Sequence, residues 1–224
     1  HGINPVLQKL PYDPVKDFAA VSIVSLVPHV LVVHPSVPAN TLSEFIQFAK
    51  SKPGLTYASS GTGTIHHLAA EILRSMTGTE FVHVPYKGAG PAMADVMSGQ
   101  VQWMSIEYAP AAQMIKAGKL RALALATPKR IAGIDVPSAA EAGLPGWEVT
   151  NWYAVFAPAG TPRDVVDLLS KAIAAGLTSG EAKERLSSLG AVPIGGSPAD
   201  TAALVKSELA RWAKIVKAAN VKVD

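Results

Sequence analysis

Cysteine is absent from this chain of 224 residues, and aromatic residues contribute only 6% of it. Without cysteine there can be no disulfide, no thiolate metal site and no cysteine nucleophile, although the redox compartment stays open. Charged residues are also sparse, at 17%, and the formal net charge is +3. Because the basic residues are scattered and are not interleaved with aromatics, we expect no nucleic-acid partner.

Long apolar runs are missing as well. The stretch VSIVSLVPHVLVV is interrupted by Pro28. It is shorter than the run of roughly 18 apolar residues that a membrane-spanning helix requires. The sequence therefore predicts no membrane span.

Hydrophobic residues nevertheless make up 49% of the chain, which is enough to bury a sizeable core. Runs of β-branched residues alternate with helical patterns, and this order favours an α/β fold built on mainly parallel sheet. The predicted strands are VSIVSLV with HVLVVHP, LTYAS, FVHVPY, VQWMSI, RALALAT, YAVFAPA and a short edge strand, AVPIGG.

Helix signals separate these strands. Asn40 or Thr41 is suited to cap a helix that stops at Pro53, and Gly78 is suited to a left-handed C-cap of the helix that begins near Ile65. The last third of the chain changes character and contains three helical segments. A change in composition near GLPGWEVTNW marks the boundary of a lobe.

The stretch YASSGTGTIHHL is the first candidate site, because it lies between the predicted strand LTYAS and a helix. A helix N-terminus offers free backbone N–H groups and a partial positive charge, which together favour a carboxylate or phosphate oxygen. Glycine allows a close approach, and hydroxyls add hydrogen bonds. The residues concerned are Ser59, Ser60, Gly61, Thr62, Gly63 and Thr64. Alternatively, Thr64 caps the helix and the glycines only turn the chain.

Other chemistries fit this loop less well. It has no lysine for a phosphate-binding P-loop, no third glycine for a dinucleotide fingerprint and no G-x-S-x-G elbow. His66 and His67 are adjacent and lie on different faces of a helix, so they cannot share a metal, and we predict no metal site. We expect His67 to face a cleft or the sheet and His66 to face solvent. Glu107 is isolated in the sequence and forms no acid/base pair.

The stretch HVPYKGAGPAMADV is a second strand-to-helix turn, containing Tyr86, Lys87 and Gly88. In a parallel sheet it lies at the same edge as the first turn, so the two turns should converge. As an isolated lysine, Lys87 is better explained as a solvated surface charge. His83 is better explained as a strand residue with a hydrogen-bond partner than as a catalytic base.

Several segments taken together resemble the Bug-type substrate-binding receptors of tripartite tricarboxylate transporters. The resemblance runs in collinear order over essentially the whole chain. It is carried by INPVLQKLPYDPVKDF, VLVVHPSVPANTLSEFIQFAKSKPG, YASSGTGTIHHLAAE, VHVPYKGAGPAMADVMSGQVQ, IKAGKLRALALATPKR, DVPSAAEAGLPGWEVTNWYAVFAPAGTP and RWAKIVKAAN.

The resemblance implies a two-lobed fold of the type II periplasmic-binding-protein kind, with mainly parallel sheets flanked by helices. Residues 1–27 and 151–224 would belong to lobe one, and residues 28–150 would form lobe two. In such receptors a further segment precedes the position of His1 and carries the signal peptide, the first strand and the opposing ligand loop. Lobe one is therefore expected to be incomplete at its N-terminus.

The resemblance also implies a periplasmic, non-enzymatic and monomeric receptor without a cofactor, which encloses a small organic acid between its lobes and delivers it to the membrane subunits of the transporter. Where many relatives carry an aspartate that reads an amino group, the aligned residue is Ile106, which favours a carboxylate without an amine. The implied ligand-binding residues are Ser59, Ser60, Gly61, Gly63, Thr64, His67, Tyr86, Lys87, Gly88 and Asn4.

Two other functions stay open at this point. One is a hydrolase or transferase that uses Ser60 with His67, although no orienting acid is visible at a readable spacing. The other is a ligand-sensing module that has no role in transport.

Overall fold

The computed structural model describes residues 1–221, and the chain forms two compact units. One unit is Pro28–Thr150, and the other combines His1–Val27 with the chain from Asn151 onward. The first of these boundaries falls inside one long strand, β1 (Phe18–Val33). Within residues 1–221, no helix is long and apolar enough to cross a membrane.

Strand β1 corresponds to the two segments predicted on either side of Pro28, which the structure joins into one continuous strand. Its second half, His29–Val33, pairs with β4 (Trp103–Glu107) and with β5 (Arg121–Leu125). Both pairings are antiparallel. Proline lacks a backbone N–H, so Pro28 contributes no donor to the ladder at the point where one unit ends and the next begins.

The sheet of the unit Pro28–Thr150 is mixed. Strand β2 (Leu55–Ser59) lies between β3 (Phe81–Pro85) and β4, and it is parallel to both. The strand order is β3-β2-β4-β1-β5. The expected parallel arrangement therefore holds for β2, β3 and β4, whereas β1 runs against its neighbours. Apolar runs that are buried on both faces look alike in either direction, so the sequence does not encode this reversal.

Four helices cover the two faces of this sheet: α2 (Leu42–Ser51), α3 (Ile65–Thr77), α4 (Ala89–Met97) and α5 (Tyr108–Lys116). The Thr41 hydroxyl accepts a hydrogen bond from the Glu44 N–H at 3.1 Å and caps α2, as predicted. Successive strand residues contribute to two separate hydrophobic clusters, for example Trp103 to one and Met104 to the other. Because side chains alternate along a strand, the two clusters lie on opposite faces of the sheet.

The other unit is mainly helical. Its elements are α1 (Asn4–Leu7), β6 (Thr150–Pro158), α6 (Arg163–Thr178), α7 (Glu181–Ser188), β7 (Val192–Pro193) and α8 (Pro198–Ala219). Strands β6 and β7 both pair with β1, and the short edge strand predicted from AVPIGG is confirmed. Ser197 and Asp200 form a capping box at the start of α8. The buried Glu208 accepts a hydrogen bond from the Trp212 indole N–H at 2.7 Å, which satisfies a carboxylate in the core.

A stack of three rings links β2, β3 and α3. The His83 ring lies 4.1 Å from that of His67 and 4.8 Å from that of Tyr57, and both pairs are stacked. His83 Nε2 also contacts the Ser59 hydroxyl at 2.6 Å. Burial lowers the pKa of His83 to about 4, with the neighbouring His67 as a smaller cause. His83 is thus a strand residue with a hydrogen-bond partner, as the sequence indicated.

Gly78 ends α3 in the left-handed conformation, with φ 65°, and its N–H donates to the Arg74 carbonyl at 2.9 Å. We expect Gly78→Ala to lower the free energy of unfolding by about 1 kcal/mol, because an L side chain is strained at this φ. A Cβ at Gly78 meets no atom within 4 Å, so no steric clash contributes. Gly90→Ala is the matched control: it also adds a Cβ in open space but lies inside α4, and it should stabilise by about 0.4–1 kcal/mol. Urea denaturation measures both effects, and a loss of equal size in the two variants would contradict the argument.

The ring stack predicts a pH dependence of stability. The pKa of His83 in the folded state, about 4, lies below the ordinary value of about 6.5 expected for the unfolded chain. Between these values the unfolded chain binds more protons, so the free energy of unfolding should fall as pH decreases from about 6.5 to about 4. His83→Gln should make this fall shallower, by on the order of 1 kcal/mol after discounting for the partial exposure of the ring. The measurement is urea denaturation across this pH range, with pH 8 as the reference for any change in packing. An unchanged slope in the variant would be the contrary result.

Candidate functional site

The first candidate loop connects β2 to α3. Gly61 and Gly63 both have positive φ, at 137° and 77°, so the turn depends on residues without a Cβ. Thr64 occupies the N-cap position, but its side chain makes no capping hydrogen bond and instead donates to the Gly61 carbonyl at 2.7 Å. The Ser59 side chain, at the end of β2, contacts both the N–H and the carbonyl of Gly61 at 3.1 Å. The two hydroxyls therefore fix the shape of the loop.

The N-terminus of α3 presents free donors. The helix's hydrogen bonding begins with the Leu68 N–H, which donates to the Thr64 carbonyl at 3.0 Å. In the described part of the chain, no acceptor contacts the backbone N–H groups of Ile65, His66 or His67. These groups carry the partial positive charge of the helix terminus. A carboxylate oxygen can accept from them without displacing a side-chain cap.

His66 does not face solvent, which corrects the expectation from the sequence. It is only 5% exposed, and its Nδ1 contacts the Ser60 hydroxyl at 2.6 Å. Its Nε2 contacts Glu107 Oε2 at 2.8 Å. The first turn of α3 packs against β4, so both faces of the turn are covered, and adjacent histidines can be buried together.

Glu107 is the residue that sequence reasoning missed. It lies where β4 ends and α5 begins, beside His66, although 41 residues separate the two along the chain. Burial acts to raise the pKa of Glu107, but the hydrogen bond from His66 and the nearby charges of His29 and His66 lower it more, to about 2. Glu107 is therefore an ionised carboxylate. No local spacing signals this pair, because the two residues meet only through packing.

The His67 side chain stabilises the first loop, the one between β2 and α3. Its Nδ1 accepts a hydrogen bond from the Gly63 N–H at 3.0 Å, and its ring stacks on that of His83. Burial lowers the pKa of His67, which favours the neutral ring that this acceptor role needs. The His67 ring faces the sheet, which is one of the two orientations that the sequence predicted. Ser60 contacts His66 and not His67, so the pairing assumed for a hydrolase is wrong.

The second candidate loop lies directly beside the first. The Tyr86 N–H donates to the Ser59 carbonyl at 2.9 Å, and the Gly88 N–H donates to the Ser60 carbonyl at 3.2 Å. The two turns thus meet at one edge of the sheet. The Tyr86 hydroxyl donates to Asp95 Oδ2 at 2.6 Å, and burial together with this carboxylate raises the pKa of Tyr86 to about 12.

Lys87 and Asn4 lie apart from these hydrogen bonds. Lys87 is exposed at the tip of the second loop, and within residues 1–221 no carboxylate lies within 4.0 Å of its ammonium group. It can therefore add positive charge near the loops. Asn4 belongs to the other unit, where it is exposed at the start of α1.

Comparison with known proteins gives one family. The profile of the tripartite tricarboxylate transporter family receptor matches residues 2–221. The UPF0065 protein in the tcbD-tcbE intergenic region of a Pseudomonas species is 38% identical over 211 residues. That match covers 93% of this chain and 63% of the relative, so the chain spans less than two thirds of the relative's length. Protein BugT of Bordetella pertussis is 34% identical over 221 residues, which cover 97% of this chain and 68% of BugT.

Solved structures of similar proteins contain small organic acids. Rpa4515 of R. palustris, described with adipate, has a TM-score of 0.88 and 37% identity over 96% of this chain and 73% of its own. MatC from Rhodopseudomonas palustris, with bound malate, has a TM-score of 0.82 and 34% identity over 96% of this chain and 75% of its own. These similarities confirm the predicted type of fold. Together with the family profile they show that the chain belongs to the receptor family of tripartite tricarboxylate transporters.

Proposed function

We propose that this protein is an extracytoplasmic solute receptor and that its two adjacent loops bind a carboxylate group of a small organic acid. The observation that carries the proposal is the start of α3, where three backbone N–H groups lack an acceptor within residues 1–221. Preorganised N–H groups at a helix terminus bind anions without reorganisation. The charge of Lys87 adds to this field.

The geometry supports a carboxylate in particular. A planar anion with two oxygens can accept from two neighbouring N–H groups of the first turn at once. Gly61 has no Cβ and therefore adopts the positive φ that this turn requires. Ser60 and Thr64 lie at the same turn, but their hydroxyls contact His66 and the Gly61 carbonyl, so in this arrangement they shape the loop and leave the anion to the backbone donors. Adipate and malate in similar proteins support the same ligand class.

The remaining parts of the proposal follow from family membership. We propose that the protein acts in the periplasm and delivers its organic acid to the membrane subunits of a tripartite transporter. The two compact units correspond in this proposal to the two lobes of the receptor. Asn4 stays a predicted ligand residue of the unit to which it belongs.

One observation favours a second candidate, a hydrolase. Ser60, His66 and Glu107 form a continuous chain of hydrogen bonds, at 2.6 and 2.8 Å, in the order of nucleophile, base and acid. The ring is reversed relative to the Ser-His-Asp template, since Ser60 contacts Nδ1 and the acid contacts Nε2. The family profile that matches this chain is that of a receptor, so we prefer binding. Turnover of p-nitrophenyl esters by the wild-type protein but not by Ser60→Ala would reverse this preference.

The carboxylate proposal predicts that Gly61→Ala weakens binding of the organic acid by about tenfold or more. Alanine at φ 137° is strained, so the loop must leave the shape that exposes the N–H groups. Gly54→Ala is the matched control, because Gly54 also has positive φ, 86°, but lies in the turn before β2. It should leave affinity unchanged.

The measurement is calorimetric titration of both variants and the wild type with adipate, malate and citrate, chosen after a thermal-shift screen of mono-, di- and tricarboxylates. Equal affinity of wild type and Gly61→Ala would remove this loop from the binding site. The absence of any binder among the carboxylates would count against the ligand class itself.

A further inference from the structure

A compact polar cluster lies beneath the first loop, inside the unit Pro28–Thr150. It consists of His29 on β1, His66 on α3 and Glu107 at the end of β4. One ligand atom from each residue lies within 4.8 Å of the other two. Antiparallel pairing sets His29 directly opposite Glu107, and the rings of His29 and His66 are 5.3 Å apart. Three separate elements thus bring two imidazoles and a carboxylate together.

His29 carries an unexplained polar atom. Its ring is 0% exposed, and within the described residues its Nε2 has no hydrogen-bond partner. Its backbone is satisfied, because its N–H donates to the Val149 carbonyl and its own carbonyl accepts from the Ala126 N–H. Buried polar atoms are nearly always paired, and an unpaired one points to an ion or a water molecule at that place. The orphan nitrogen belongs to a ring that lies beside His66 and Glu107.

The Nδ1 atom of each ring has a serine hydroxyl as its partner. Nδ1 of His29 contacts the buried Ser105 hydroxyl at 3.1 Å, and Nδ1 of His66 contacts the Ser60 hydroxyl at 2.6 Å. A histidine that binds a metal usually has its other ring nitrogen held by such a partner, which fixes the tautomer and the ring orientation. This arrangement leaves Nε2 of His29 without a partner and Nε2 of His66 in contact with Glu107, so these two nitrogens are the candidate ligand atoms.

We propose that His29, His66 and Glu107 form a binding site for a divalent transition metal of the zinc class. Two imidazole nitrogens and one carboxylate are a donor set that zinc uses. A cation there converts the orphan Nε2 into a bonded atom, and this gain is independent of any organic acid.

Binding requires the three ligand atoms to move. Tetrahedral zinc with bonds of about 2.0–2.2 Å places its ligand atoms roughly 3.4 Å apart, so separations in the cluster that reach 4.8 Å must shrink by about 1.4 Å. The hydrogen bond between His66 and Glu107 is exchanged for two metal bonds. The proposal therefore requires the Glu107 carboxylate to rotate and the His66 ring to shift.

The test is a titration of the full chain, freed of metal by chelation, with zinc chloride in the absence of organic acids. We expect one zinc ion per chain, and cobalt(II) in its place should give the visible absorption of a low-coordinate site. His29→Gln and Glu107→Gln should each abolish this stoichiometric binding. Ser105→Ala keeps all three ligands and should weaken binding by about tenfold or more through loss of the outer contact.

His34→Gln is the matched control, since it removes a histidine outside the cluster whose Nδ1 contacts Ser36. It should bind one zinc ion like the wild type. No binding by the wild type would overturn the proposal, and so would undiminished binding by His29→Gln and Glu107→Gln. Circular dichroism identifies a variant that fails to fold, in which case Ser105→Ala decides the question. Because no carboxylate is present, the result is independent of the proposed receptor function.

Discussion

The parallel pairing of β2 with β3 is the constraint on which the candidate site depends. The register sets Ser59 opposite Pro85 at the last position of both strands. The pairing then continues past the strands, through the hydrogen bonds from the Tyr86 and Gly88 N–H groups to the carbonyls of Ser59 and Ser60. Parallel strands end at the same edge of a sheet, so the helices that follow them also begin there. Two helix N-termini are thereby placed side by side.

Side chains from β2, β3 and α3 stabilise the loop between β2 and α3. Ser59 and His67 bond to Gly61 and Gly63, and His83 supports both of them from β3. A neutral His67 is needed, because its Nδ1 accepts the Gly63 N–H. The side chains of Ser59 and His67 were predicted to contact the ligand, but they form hydrogen bonds within the protein. What remains for the proposed carboxylate is chiefly the backbone N–H groups at the start of α3.

Much of the local structure could be predicted from the sequence. LTYAS, FVHVPY and RALALAT each contain the observed strand, and Thr41 and Gly78 cap their helices as their chemistry indicated. The reversal of β1 was missed, because a doubly buried strand has no directional signal. His66 was assigned to solvent on the argument that adjacent helical residues face different ways. That argument fails in a first turn that is covered on both sides.

By itself the sequence determined the order of elements and the two glycine-containing turns, because these depend on spacing and composition within short segments. Its resemblance to known receptors indicated the family. Only the tertiary structure decided which side chains meet across the sheet. His29, His66 and Glu107 lie on three different elements, and their contact follows from strand register and helix packing. A carboxylate that is isolated in the sequence became the partner of a buried histidine, because burying either group is unfavourable unless the other satisfies it.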